Sequence, residues 1–492
     1  MPERRIYLLS PRELSPETIA VAFAKTSRSP ESFREIAAGL SDEKSAQFHE
    51  KWVVGYGHAS VAEHAVLHLA FENVSRLAIE SIESNRLASY TEKSTRYQKW
   101  HPDDFHVPAE LDGHPLADDY LRLCRLLFST YLETLDLVRK LVFSRVAPQA
   151  NESDESLDRR LRSQYVDVCR FLLPAAALAN VGMTANARVL ENVIRKMLSH
   201  ELAEVRQIGD QVKTVSRAEV PTLVKYAEAV AYLSETRDLM TQSADRALAE
   251  TSVRAEDTAS QGLKNAAEAS SDWCTLVDYD RNGENRILAA ALYRHAGVSF
   301  AQAMDFVAGV EDGKRAGLAQ ELLGRLSEHD VPLRELEYCT YTFDLVMDQG
   351  AYAEFKRHRM MTQTPQRLTA RLGFSVPRLM IQAGCGTVYE DAMRSASDLY
   401  EKLAAHDPHV AQYVVPNGYH RRVLAQFNLR EAFAFCELRS APNAHFSIRR
   451  IAGRLAQELR RVHPLLTRYM RLPAETAAQV EERHFASAED VG

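Results

Sequence analysis

Residues 85–97 read Asn85-Arg86-Leu87-Ala88-Ser89-Tyr90-Thr91-Glu92-Lys93-Ser94-Thr95-Arg96-Tyr97, and a diverged copy begins at Arg357-His358-Arg359-Met360-Met361-Thr362. Each follows a strand-like run: His68-Leu69-Ala70-Phe71-Glu72-Asn73-Val74 before the first, Tyr338-Cys339-Thr340-Tyr341-Thr342-Phe343-Asp344-Leu345-Val346 before the second. A further landmark recurs. Leu173-Pro174 precedes Asn186-Ala187-Arg188 and Val415-Pro416 precedes Asn428-Leu429-Arg430, with the same 12-residue step from Pro to Asn (174 to 186, 416 to 428). One module is therefore written twice, and its chemistry must be sought in the polar residues that differ between the copies.

Working outward, the landmarks place one module over residues 1–245 and another over 265–475. A chain of 492 residues accommodates two domains with ample core. The polar, Ala- and Ser-rich stretch 235–272 contains the boundary and reads as either an exposed helix or a linker. Apolar spacing predicts helices over 12–55, 115–147, 156–172 and 185–215, with Ser153 as a start signal. In the second copy helices are expected to about 328, at 387–405 and at 420–461, with a strand at 337–347 and a fraying acidic tail after Pro473.

The net charge of −7 supplies no bulk cationic field for nucleic acid or membrane. Six scattered cysteines, without a C-x-x-C pair, form neither a metal knuckle nor a disulfide framework. The N-terminus lacks a signal-peptide core, and no apolar run approaches the ~20 residues of a membrane helix. A soluble, cytoplasmic protein without nucleic-acid or membrane partners is expected.

Three polar clusters carry chemistry. The first is Gly57-His58-Ala59-Ser60-Val61-Ala62-Glu63-His64. His64 and His68 have the i,i+4 spacing of helical metal ligands, but His68 opens a strand and no third ligand is evident, so no metal is expected. Gly384-Cys385-Gly386 reads as a turn, being too short for a dinucleotide fingerprint.

The second cluster is the pair of Arg-rich loops. Arg357-His358-Arg359 gathers three potential cations with no acid in the triplet, a pattern that either lies in solvent or holds an anion such as a phosphate. In the first copy Glu92, Ser94 and Arg96 alternate, so an extended backbone would set an acceptor, a hydroxyl and a cation on one face. The third cluster is helical. Arg188, Asn192 and Arg195 share a face and are answered in the second copy by Asn428, Arg430 and Arg439, a face suited to solvent or to a ligand.

Taken together, the landmarks resemble the flavin-dependent thymidylate synthases, whose pattern is G-H-x-S-x-x-E-H, a strand, R-H-R-x-x-S-x-N-E-x-S-x-R-Y, then L-P and N-A-R-x-x-x-N. Residues 20–230 follow it through Gly57-His58-Ala59-Ser60, Glu63-His64, Ser89, Glu92, Ser94, Arg96-Tyr97, Leu173-Pro174, Asn186-Ala187-Arg188 and Asn192; residues 280–470 follow it more loosely. The resemblance implies an α+β fold of two tandem modules, each a helical layer on a small, mainly antiparallel sheet. It also implies FAD as cofactor, methylation of dUMP to dTMP with methylenetetrahydrofolate and NADPH, and sites shared between subunits.

Carried over residue by residue, the resemblance assigns dUMP to Glu92, Ser94, Arg96 and Arg170, and polarisation of the uracil ring to Arg439. Flavin contacts fall to Arg357, His358 and Arg359, with His58, Arg86, Asn186, Arg188, Asn192, Asn428 and Arg430. The departures are complementary. Copy one has Ser84-Asn85-Arg86 for Arg-His-Arg, Met197 for the polarising arginine and Ser81 for a family glutamine. Copy two has Pro365, Arg367 and Thr369 for Glu-Ser-Arg, and Gln412 for Arg170. One chain is thus expected to complete a composite site from two dissimilar halves, and a homodimer to form a pseudo-tetramer. Modification of another pyrimidine nucleotide and non-catalytic nucleotide binding are the alternatives.

Overall fold

The computed structural model of the chain describes residues 5, 7–26, 29–55, 59–257 and 273–486. It is an α+β protein, mostly helical, with two small antiparallel sheets. Two compact units are present, which include the described residues of Met1–Tyr97, Phe105–Ala117 and Ala176–Gln261 in one, and of Gln98–Asp104, Asp118–Ala175 and Gly262–Gly492 in the other.

The first unit holds strands β1 (Val66–Ser75), β2 (Ser89–Glu92) and β3 (Leu178–Asn186) in the order β1-β3-β2. The second holds β4 (Cys274–Tyr279), β5 (Thr340–Asp348), β6 (Thr362–Pro365) and β7 (His420–Asn428) in the order β4-β5-β7-β6. Register shows the repeat directly. Val66 pairs with Asn186 as Thr340 pairs with Asn428, and Ser89 pairs with Thr184 as Thr362 pairs with Gln426. A bulge between Phe71 and Val74, where Asn73 takes φ 55°, gives β1 one residue more than β5. Beyond it, Ser75 and Asp348 match, and each caps the helix that follows by accepting from the amide three residues on.

The matched caps carry a swap. Ser75 Oγ donates to Glu204 Oε2 at 2.6 Å, whereas in the second unit Ser447 Oγ donates to the Asp348 carboxylate. Hydroxyl and carboxylate have exchanged places across one buried contact, so each copy keeps the pair satisfied.

Residues 420–428, expected to be helical, form a strand. Arg421, Val423, Ala425 and Phe427 alternate into the interior along β7, a period of two that an inner strand requires. The helix begins only after Asn428, whose side chain caps it. Likewise β3 precedes the helices Ala187–Leu198 and Ala203–Ser216. The segment 12–55 is three short helices and a π-helical turn. β4 occupies ground expected to be helical, and a capped helix, Ala477–His484, interrupts the tail expected to fray, resting on the helix Phe446–Val462. The boundary stretch is helical over Ala231–Asp257.

Residues Asp118–Ala175, from the first repeat in sequence, pack within the second unit. There the two Pro landmarks meet: Ala175 N donates to Val415 O and Asn417 N donates to Leu173 O, both at 3.0 Å. The exchange is reciprocal, as around a local two-fold axis. Gly418 sits in this crossing, where a Cβ would come within 2.8 Å of Tyr389 Oη and 3.1 Å of Phe171 Cδ1, so only glycine permits the approach. The crossing fixes Arg170, whose carbonyl accepts from Asn417 Nδ2 at 3.0 Å.

Candidate functional site

The second unit collects the predicted residues around one carboxylate. β5 ends at Asp348, the helix Gln349–Phe355 carries Glu354, and the chain then turns through Arg357-His358-Arg359 into β6. Opposite lies the helix Leu429–Ser440, which presents Glu431 and Arg439. Arg439 Nη1 is 3.0 Å from Glu354 Oε2, and Arg170 Nη2 is 3.6 Å from Glu354 Oε1 and 3.4 Å from Asp167 Oδ1. Arg170 comes from the first repeat and Arg439 from the second. The structure brings both to Glu354 within one unit.

His358 is the buried member of its triplet. Arg439 Nε lies 3.0 Å from His358 Nε2, and His358 Nδ1 lies 2.9 Å from Glu431 Oε1. The ring also meets Phe435 edge-on, with centroids 4.8 Å apart. The triplet is therefore not three loose cations: Glu431, from the facing helix, reaches into it. Arg357 is exposed and Arg359 half-buried. Burial pushes the Arg439 guanidinium below its ordinary pKa; Glu354 opposes the shift, while the charge of Arg357 adds to it. An anion bound beside Arg357 would relieve that repulsion, so the residues present fit a diphosphate group such as that of FAD.

Glu354 is the residue that motif reading missed. The register places it opposite Ser81 of the first repeat, the position of the family glutamine. Matching the second repeat through Ser75 and Asp348 would have found it.

In the first unit, Glu92 closes β2 and is ion-paired at 2.9 Å with Arg76. The extended alternation expected of Glu92, Ser94 and Arg96 stops there. Residues Ser94–Tyr97 turn, with Tyr97 N donating to Ser94 O at 3.1 Å. Ser94 is exposed and Arg96 half-buried. Asn186 Oδ1 caps the helix Ala187–Leu198 at Val189 N, as Asn428 Oδ1 caps its counterpart at Glu431 N, both at 2.9 Å. Arg188 pairs with Glu63, and the same pair recurs as Arg430 with Glu337 at 3.1 Å. Asn192 and Arg86 are exposed. His58 lies outside the described residues. His64 stacks beside Phe23, and His68 bonds Thr184 across the sheet.

Met197, the counterpart of Arg439, is buried in the core. Its neighbour Lys196 reaches Ser84 Oγ at 2.7 Å and Asn85 Oδ1 at 3.2 Å, Asn85 being the counterpart of His358. A cation thus flanks the central residue of the triplet in both copies. Burial lowers the pKa of the lysine. Gln412, the counterpart of Arg170, is buried and bonded to Leu368 N and His409 O. No described helix is long and apolar enough to cross a membrane.

The family model described as thymidylate synthase complementing protein matches residues 10–222 and 275–465. A UPF0159 protein of Chlamydia muridarum is 32% identical over 451 residues, covering 88% of this chain and 82% of its own. A UPF0159 protein of Thermoplasma acidophilum is 26% identical over 467 residues, covering 87% and 88%. A flavin-dependent thymidylate synthase of Clostridium tetani is 27% identical over 217 residues, which span 82% of that protein but 43% of this chain. With two successive segments matched, the chain belongs to the thymidylate synthase complementing protein family.

Proposed function

We propose that the protein methylates dUMP to dTMP, with FAD as cofactor and methylenetetrahydrofolate and NADPH as co-substrates. The observation that carries this reading is the meeting of Arg170 and Arg439 on Glu354, beside the Arg-His-Arg turn. Residues assigned to nucleotide and flavin by resemblance, though from different repeats, share one cluster. The bound flavin would supply hydride. Arg439, held by His358, stabilises negative charge developing on the pyrimidine ring, which makes C5 nucleophilic. Arg170 orients the nucleotide; Glu92, Ser94 and Arg96 are the nucleotide-side residues of the first repeat. Arg357, His358 and Arg359, with Asn428 and Arg430, would hold flavin in the second repeat; His58, Arg86, Asn186, Arg188 and Asn192 are the corresponding flavin-side residues of the first repeat. All six cysteines are buried, which suits chemistry that demands no thiol nucleophile.

Met197 and Ser81 leave the first repeat without a ring-polarising arginine, which favours one kind of composite site per chain and a cytoplasmic homodimer acting as a pseudo-tetramer. A second reading, modification of another pyrimidine nucleotide, draws on Glu354 standing where the family has glutamine. The deciding experiment is tritium release from 5-tritiated dUMP with FAD, methylenetetrahydrofolate and NADPH. Release supports the methylation reading. Nucleotide and FAD binding without release from dUMP favours the second, and folded protein that binds neither leaves neither standing.

A further inference from the structure

We infer that the second unit carries a further ligand site, in the cavity beside the turn Arg334–Tyr338, and that this site takes a planar aromatic ring bearing one acidic group. The cavity has a volume of about 710 Å³, the size of a small-molecule site. Its walls are the helix Gly283–Ala296, through Tyr293 and Arg294, the first residue of the helix Phe300–Gly309, and the turn itself. It stands apart from the Glu354 cluster, because none of its lining residues lies on the helices Gln349–Phe355 or Leu429–Ser440. The register that matches Val66 to Thr340 sets Pro332 where the first repeat has His58, Arg334 for Ser60 and Tyr338 for His64, and keeps Glu337 for Glu63. A cavity of about 670 Å³ also lies beside the matching turn of the first unit, against Phe23, Ser60 and His64. The hollow is therefore a property of the repeat, and its lining a property of each copy. By exchanging a histidine and a serine for a phenol and a guanidinium, the second copy has been rebuilt for a different ligand.

Two features fix the chemistry of that ligand. The first is an aromatic wall. Tyr293, Phe300 and Tyr338 are all exposed, yet they gather in one place: Phe300 meets Tyr293 edge-on with centroids 6.4 Å apart, and Tyr338 at 6.5 Å and 28° from parallel. Exposed rings clustered around a cavity mark a surface that a flat apolar group covers. The second is a surplus of positive charge. Arg294 pairs with Glu335 at 3.2 Å, while Arg334 and Arg430 both pair with Glu337, at 3.2 and 3.1 Å. Three guanidiniums share two carboxylates, which leaves one positive charge for an anionic group. Arg430 is anchored on Pro332 O at 2.8 Å. Arg294 and Arg334 line the cavity with exposed side chains, so these are the two that meet the anion. A neutral ring leaves the charge unanswered, and an anion alone leaves the wall wet. Both needs are met by a nucleoside phosphate and by an aryl carboxylate.

The test is titration calorimetry on the full chain with AMP, 1-naphthoate, adenosine and inorganic phosphate. AMP or 1-naphthoate is expected to bind about tenfold or more tighter than adenosine and phosphate, since each control answers one feature only. Arg334→Glu reverses a charge and should weaken that ligand by about tenfold or more. Arg334 is exposed, so this variant keeps the fold. Phe300→Ala removes a stacking face and should weaken the ligand by about fivefold or more. Arg439→Ala, in the Glu354 cluster, should leave it unchanged. Binding of AMP alone assigns a nucleoside phosphate, binding of 1-naphthoate alone an aryl acid, and binding of both a site that reads only ring and charge. If neither binds more tightly than the controls, if Arg334→Glu or Phe300→Ala leaves binding unchanged, or if Arg439→Ala weakens it equally, the site is overturned. A halved solution mass in the first two variants would then assign the aromatic wall to contact between copies. Tritium release from dUMP is a separate readout, so failure here leaves the methylation reading standing, and the converse holds.

Discussion

Arg439 and His358 are joined head to ring, with the guanidinium Nε 3.0 Å from the imidazole Nε2. Because a guanidinium can only donate, Nε2 must accept, and the ring proton sits on Nδ1, facing Glu431 at 2.9 Å. One carboxylate thus sets the tautomer of a histidine, and the histidine sets the direction of the arginine.

This relation makes His358 a positioning residue for Arg439. His358→Ala should lower turnover of 5-tritiated dUMP by about tenfold or more while dUMP affinity changes by less than about threefold, since the arginine matters most as ring charge develops. Equal loss in KM and kcat, or in thermal stability alone, would assign His358 a structural task instead.

Flavin binding should depend on the two arginines around that histidine. Arg359→Ala removes charge-assisted hydrogen bonds worth on the order of 1.5–3 kcal/mol each, so FAD affinity should fall by about tenfold or more. Retention of wild-type FAD affinity, measured by absorbance titration, excludes the triplet as a flavin site.

How much of this was legible in the sequence follows from what each motif had to specify. The Asn186 and Asn428 landmarks were visible because each must cap a helix directly after a strand, which fixes residue type and spacing together. Strand β7 was misread as helix because Arg421 and Arg422 interrupt its apolar pattern. Arg421 stays buried by bonding Gln366 O at 2.7 Å and lying over the Tyr352 ring, a tertiary solution that local pattern does not reveal. Glu354 went unnoticed because a glutamate on a short helix is unremarkable until two arginines, one some 180 residues upstream (170 to 354), converge on it. The contact of Arg170 with the second repeat depends on residues 118–175 packing there, which no local signal specifies.

Nucleotide binding separates two arginines by role. Arg96→Ala should weaken dUMP binding by about tenfold or more through loss of a charged hydrogen bond. Arg439→Ala should spare binding more and depress turnover further. The reverse ranking, with Arg439 dominating affinity and Arg96 silent, would remove the Glu92–Arg96 loop from the nucleotide site.

The last expectation concerns acid. His484 stacks on Phe446, with centroids 4.8 Å apart and planes 9° from parallel, and its Nε2 is buried without a hydrogen-bond partner. Burial, reinforced by Arg449 and Arg483, pushes its pKa down to about 4 from an ordinary value of 6.5. Burial lowers His445 and His463 in the same direction. Between pH 6.5 and 4 the unfolded chain binds a proton at His484 that the folded chain excludes, so stability falls as pH drops through this window and is insensitive to this group above it. His484→Phe keeps the stack and deletes the titration. At pH 7 its urea midpoint should stay close to wild type. At pH 4.5 the variant should be more stable than wild type by about 1–3 kcal/mol, as 1.36 kcal/mol per pKa unit implies. Urea midpoints for the two proteins that decline in parallel from pH 7 to 4.5 would show that His484 does not contribute to the acid limb.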